Sequence, residues 1–292
     1  MRVTERMRWV RTQRQLEQTT MRGDQAAQQA LSGKRVSKSS DDIAAHDASS
    51  RLQEHGARQR AFHDNASKAH MELERMDQTL SLGHDLLARA RELSVQFGDA
   101  SYSSDEMSVA SEEVKGLKEA LVRIANTEHM GRPLFGGTGS GKVVDADGNY
   151  LQPSPTAREI TIGESNSKLS MATGPQAFGG PGQSAFEALD SFVAALQGGD
   201  STAVRSAQVE LDTALDTLQD AQQRVGQNMT RAQEAMQFAE QMQQLDTMQS
   251  DKLTESDFVE TISAMQQSST IYELSLKIAS EQKQLSRSIL SL

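Results

Sequence analysis

Three stretches of this chain hold residues whose types and spacing could do chemistry. Gly136-Gly-Thr-Gly-Ser-Gly141-Lys142 comes within one residue of the loop that cradles nucleotide phosphates. Such a loop needs Ser or Thr after its lysine to hold magnesium, then a helix whose N-terminus faces the phosphates. Here Val143 follows the lysine, and Val143 to Gly148 does not read as a helix. The reading is a glycine loop, with nucleotide binding through Gly136–Lys142 as a remote alternative. Asp145, Asp147 and Asn149 stand at alternate positions, like the start of a calcium loop. Gly148 falls two positions early and Thr156 stands where the bidentate Glu belongs, so a hairpin turn is the better reading. His55, His63, His70 and His84 lie on one helical stretch, and His63 and His70 are two turns apart, too far to share a metal. They read as solvated. A Gly-x-Ser-x-Gly elbow is absent, as is cysteine, which excludes a thiol nucleophile, a disulfide framework and a cysteine zinc site. The expectation is a protein that is not an enzyme, with no catalytic, cofactor or metal residues.

The organising element is Ile43 to Phe97. Every seventh residue from Ala45 reads Ala45, Leu52, Gln59, Ala66, Leu73, Leu80, Leu87, Ser94. From Ala48 the same step gives Ala48, His55, Phe62, Ala69, Met76, Gly83, Ala90, Phe97. This seven-residue apolar repeat predicts one long helix in a coiled coil or bundle, spanning roughly 80 Å at 1.5 Å per residue. A second helix follows a turn at Gly98–Ser104, with Met107, Ala110, Val114, Leu117, Leu121 and Ile124 on one face. After a break at Gly198-Gly-Asp-Ser201, a long return helix carries a matching seam of Val204, Leu211, Leu218, Val225, Ala232 and Ala239, whose small residues allow close packing against the first long helix. Met229 to Met248 reads as ordinary seam packing. The pattern weakens at Asp246–Ser256.

Between the two arms the composition changes. All five prolines and 11 of the 20 glycines lie between Gly131 and Gly182, which argues against helix there. Strand signals appear at Lys142–Val144, Glu159–Ile162 and Lys168–Met171. The predicted fold is mainly α: an elongated antiparallel coiled-coil or helix bundle with a small β-rich inserted domain. Its expected parts are an N-terminal assembly helix over 1–40, a rod half over 41–130, the insert over 131–183, a return half over 184–254, and a C-terminal assembly helix over 255–292 that pairs with the first. Aromatic content of 4 % makes a large globular core unexpected.

Both ends carry apolar stripes that nothing else in the chain is positioned to cover. At the N-terminal end these are Val3, Met7, Val10, Leu16, Met21 and Leu31; at the C-terminal end Phe258, Ile262, Met265, Tyr272, Leu276, Leu285, Ile289 and Leu292. Uncovered stripes of this width point to burial against other subunits, and they are the candidate assembly interface. Net charge is −10, yet residues 1–60 hold 12 Lys/Arg against 7 Asp/Glu. A basic end on an acidic body fits head-to-neighbour packing. The acidic bulk argues against nucleic acid, and no apolar run approaches a membrane span. The Arg-rich start has no apolar region behind it and does not read as a secretory signal.

Several words of the sequence resemble the flagellin-type axial proteins of bacterial flagella, and within them the hook–filament junction family of hook-associated protein 3. They are Met1-Arg-Val-Thr4, Ser32-Gly-Lys-Arg-Val36 through Ser40-Asp-Asp42, Gly131-Arg-Pro-Leu-Phe-Gly-Gly-Thr138, Val225-Gly-Gln-Asn228, and Ser286 to Leu292. Ile43, Met130 and Pro133 depart from the residues usual there, which are Pro, Asn and Tyr. The resemblance implies a flagellin-like fold and a structural subunit at the junction between hook and filament, with a flagellin filament subunit as the alternative. It also implies self-assembly in a ring, partners in hook-associated protein 1 and flagellin, and a cytoplasmic export chaperone. It implies type III export without a cleaved signal peptide to an extracellular place on the flagellum, and terminal helices that order on assembly.

Overall fold

In the computed structural model, residues 2–98 and 102–290 are described, and side chains of residues 2–6, 8–9 and 282–290 lie outside the description. The described residues form seven helices and four short strands. Helix α1 (Arg2–Ser32) is followed by α2 (Ile43–Phe97), α3 (Ser104–Ala125), α5 (Ala185–Gly198), α6 (Ser201–Thr254) and α7 (Phe258–Leu290), with the one-turn α4 (Gly174–Phe178) before α5. The chain divides into two compact units: residues 1–57 with 243–292, and residues 58–242.

The larger unit is built on the heptads. Ala66, Leu73, Leu80 and Leu87 of α2 are buried in one core with Val204, Leu211, Leu218, Val225 and Ala232 of α6. Gly83 marks the close approach: a Cβ there would sit 3.3 Å from Leu218 Cδ1 and 3.5 Å from Leu121 Cδ1. Arg91 of α2 pairs with Asp212 of α6 at the rim. Met229 and Met236 rest against the core, as the seam reading expects. Helix α3 starts in a capping box between Ser103 and Glu106 and packs on α5, which starts in another between Ser184 and Glu187.

The inserted segment differs from expectation in three ways. Of the three expected strand segments, Glu159–Thr161 (β3) and Lys168–Ser170 (β4) pair as a two-stranded antiparallel sheet, and Lys142–Val144 contributes just the bridge Val144↔Tyr150. A hairpin not expected from the sequence pairs β1 (Glu128–His129) with β2 (Arg132–Pro133). Helix is not wholly excluded, since α4 begins at Gly174-Pro175, where proline's missing N–H costs nothing in the first turn. The few aromatics are also concentrated rather than scarce where it matters. Phe135, Phe178, Phe186 and Phe192 are fully buried, with Phe178 edge-on to Phe135 at 5.2 Å and tilted against Phe186 at 5.9 Å.

Side chains of the long helices hold the insert by its backbone. Asn65 of α2 donates to the Thr161 carbonyl, Asn228 of α6 to that of Ser170, Arg231 to that of Lys168 and Arg224 to that of Gln176. Arg158 pairs with Glu72 of α2, both largely buried.

The smaller unit contains α1 and α7 packed on each other, and the facing ends of α2 and α6. Helix α6 runs unbroken to Thr254, so the weakened pattern at Asp246–Ser256 is a change of seam chemistry and not a break until its last residues. Here the seam is polar: Ser49 and Ser250 hydroxyls meet at 2.8 Å, and His55 Nδ1 lies 2.6 Å from Asp246 Oδ2. His55 is therefore not simply solvated.

Candidate assembly interface

The two chain breaks of the smaller unit lock into one joint. Helix α1 ends at Gly33, left-handed at φ 67, whose N–H donates to the Gln29 carbonyl. The Thr254 carbonyl at the end of α6 accepts from the N–H groups of Arg35 and Val36, and the Arg35 guanidinium donates to the Leu253 carbonyl. Orphan carbonyls at the α6 terminus are thus satisfied by the loop between α1 and α2. Ser256 N–H returns the contact to the Gly33 carbonyl, and Val36 is buried beneath. The two aspartates of the loop divide their work. Asp42 Oδ1 accepts from Ala45 N–H and caps α2, while Asp41 closes the loop by accepting from Ser37 and Lys38 N–H. These backbone donors, with Arg35 beside Asp42, hold both carboxyls below their ordinary value. Because the folded-state values are depressed, the stability they add is present above the usual carboxylate range and is lost as pH falls through those lower values. Acid unfolding of the joint should be measurably blunted by Asp41→Asn with Asp42→Asn, which remove the titrating groups; hydrogen exchange at Val36 reads it.

Above the joint, α1 and α7 meet through small residues. Thr19 and Ala26 of α1 and Thr261 of α7 are buried, and a Cβ on Gly23 would lie 3.5 Å from Ser268 Cβ. The large apolar side chains point elsewhere. Met7, Val10, Met21 and Leu31 are exposed on α1, Leu31 by 89 %, while Leu16 is half-buried. On α7, Phe258, Met265, Tyr272 and Leu276 are exposed and Ile262 is half-buried. Val259, Ile271, Leu274 and Ile278 are exposed too, which makes α7 apolar around much of its circumference. Val3, Leu285 and Ile289 fall among the undescribed side chains, and Leu292 lies outside the described residues. In the single chain, then, the terminal helices are formed and paired, and their large apolar groups are not covered by that pairing.

The motifs with chemical promise resolve as structure. Gly137 adopts φ 63, and a Cβ there would lie 2.3 Å from the Thr156 carbonyl oxygen, so its glycine serves a close backbone approach. Val143 and Val144 N–H donate to Asn126 Oδ1 instead of opening a helix, which removes the phosphate cradle. Asp145 accepts from the N–H groups of Asp147 and Asn149 and from the Asn149 amide, as a turn-former does. Among the described residues no group of His, Asp and Glu is arranged to hold a metal ion, and no helix is long and apolar enough to cross a membrane.

One feature escaped sequence reasoning. The β1–β2 hairpin turns on Met130 and Gly131, both left-handed at φ 52 and 76, a geometry that favours Asn-Gly. Met130 carries a side chain into that region and is 91 % exposed. The signal was present: Met130 stands where the resembling family has Asn. Met130→Asn should stabilise the larger unit by about 1 kcal/mol, read as a higher urea midpoint at constant slope.

Comparison with known proteins agrees with this geometry. A family model for the bacterial flagellin N-terminal helical region matches residues 3–140. Among curated proteins no sequence relative matches. Among solved structures, flagellar hook associated protein-3 from Legionella pneumophila superposes with a TM-score of 0.62 at 14 % identity, covering 70 % of this chain and 98 % of its own. FlgL from Bacillus cereus gives 0.52 at 20 % identity over 63 % and 98 %. A putative flagellar hook-associated protein from Vibrio parahaemolyticus gives 0.54 at 17 % over 74 % and 97 %. The resemblance read from the sequence is borne out: residues 3–140 match the flagellin N-terminal helical region, and about two thirds of the chain shares the fold of solved flagellar hook-associated proteins.

Proposed function

We propose that this chain is a structural, non-enzymatic subunit of the bacterial flagellum that forms the junction between hook and filament. The observation that carries the reading is the α1–α7 pair: it is joined by small side chains and leaves Met7, Val10, Met21, Leu31, Phe258, Met265, Tyr272 and Leu276 facing outward. Apolar groups at this density are covered in a working protein, and neighbouring subunits are the cover that a flagellin-like fold suggests. In this reading the half-buried Leu16 and Ile262 complete the same faces, and Val3, Leu285, Ile289 and Leu292 are proposed for the interface from the sequence alone. The partners are further copies of the chain in a ring, hook-associated protein 1 on one side and flagellin on the other. Export of the unfolded chain by the type III apparatus, with a chaperone, would bring it to the outside of the cell. The absence of cysteine suits that route, since no thiol can cross-link on the way.

A deletion strain tests the proposal. Hooks should form and filaments should fail to attach; normal filaments on such cells would reject the reading. The match to the flagellin N-terminal region favours one rival, a filament subunit. Copy number separates the two, because a filament subunit would dominate protein sheared from the cell surface and a junction subunit would be a trace component.

A further inference from the structure

Helix α3 carries unusual features at both ends. Past its C-terminus stands the Met130 turn, with Arg132 as its exposed cation; Glu128 lies one position farther down the opposite strand. At its N-terminus, a groove of about 470 Å³ opens between α2 and α3. Leu93, Phe97, Tyr102 and Val109 give it an apolar floor, with the Phe97 and Tyr102 rings 4.6 Å apart, and Val109 is 73 % exposed. Its rim is acidic. Asp105, Glu106 and Glu113 line it, and the one cation among its described lining residues, Arg89, is engaged by Glu92 and Glu113. Glu106 accepts from the Ser103 N–H and hydroxyl, which hold its carboxyl below the ordinary value, so it stays charged. The 22 residues of α3 separate turn from groove by about 33 Å.

We propose that Met130 of one copy of this chain enters the α2–α3 groove of a second copy, with Arg132 facing the acidic rim. This rests on the flagellar-assembly reading and names one surface of it. Three observations commit the groove to a second copy. The turn presents an unbranched, adaptable apolar side chain, and the groove offers an apolar floor of matching chemistry. The turn's exposed cation complements the rim's surplus of carboxylates. And the methionine sits at φ 52, a backbone region that disfavours it, a local strain of the kind found at functional positions. Because turn and groove are different surfaces at opposite ends of α3, the contact is head-to-tail. Such a contact closes into a ring or continues as a helix, where a self-complementary patch would stop at a dimer.

The absence of cysteine makes the test direct. Cells whose only copies of the protein carry Met130→Cys or Val109→Cys are made to express both, and their flagella are isolated and oxidised. A disulfide-linked pair is expected, and a chain bearing both substitutions should give a ladder. The comparison is Met130→Cys with Val209→Cys, a site 65 % exposed on α6. Cross-linking no better than that comparison, with the chains present in flagella, overturns the proposal and leaves the flagellar reading standing. A wild-type chain absent from flagella overturns both. Arg132→Glu and Asp105→Lys should each lower incorporation severalfold, and together restore it. Loss in each without restoration means the groove meets some other subunit, which also overturns the proposal. Met130→Asn should raise the melting temperature while lowering incorporation, which separates a lost contact from a lost fold.

Discussion

Replacing Phe178 with alanine is expected to cost the larger unit about 3–5 kcal/mol. Phe178 ends the short helix α4 and is fully buried. It meets Phe135 edge-on, leans on Phe186, and lies 3.7 Å from where a Cβ on Gly83 would be. One ring therefore joins the inserted segment, the helix that follows it and the thinnest point of α2. Removing it loses the transfer energy of the ring and leaves a cavity among rigid neighbours that cannot all close in. The Val143 and Tyr150 side chains pack around Gly174 at the other end of the same turn, so α4 has no slack to shift into the space. Urea unfolding followed by hydrogen exchange in residues 58–242 should show a lower midpoint, with residues in α1 and α7 unaffected. A loss under 1 kcal/mol would mean that the insert is not pinned through this ring.

The second large effect lies in the other unit and spares the fold. Phe258→Asp with Leu276→Asp places two charges on α7 faces that are exposed in the single chain. Surface changes of this kind cost a folded protein roughly 0.5 kcal/mol or less each. If these faces are buried on assembly, each charge is stranded in an apolar contact, and hot-spot truncations alone cost 2 kcal/mol or more. Incorporation into flagella should fall on the order of a hundredfold or more, while circular dichroism of the purified chain stays unchanged. Unchanged incorporation would remove these two residues from the proposed interface.

How much of this could be read from the residues depends on what signalled it. The heptads of Ile43–Phe97 were legible because apolar residues repeat at one period over 55 residues, and helix α2 has those bounds. The turn at Gly98–Ser104 and the apolar face from Met107 to Ile124 announced α3 in the same way. The hairpin at Glu128–Pro133 was hidden by its own chemistry: Met130 occupies a position where Asn-Gly would have spoken for a turn, and Pro133 looks like a strand breaker. In a two-residue strand at a sheet edge, that proline's missing N–H leaves no ladder broken. The return half was placed to residue 254, but its apolar pattern fades near the end because the seam turns polar where Asp246 meets His55 and Ser250 meets Ser49. The interface residues were legible as an amphipathic excess. The small-residue face joining α1 to α7 was not, since Thr19, Gly23 and Ser268 carry no hydrophobic pattern.

The way the inserted segment is moored has a consequence for variation. Asn65, Arg224, Asn228 and Arg231 grip main-chain carbonyls, which every amino acid possesses. The outward side chains of β3 and β4 can therefore be rewritten without loosening these four moorings, provided the strands keep their course. A segment fastened in this manner can tolerate change on its outer face, while the long helices that hold it stay under much tighter restraint.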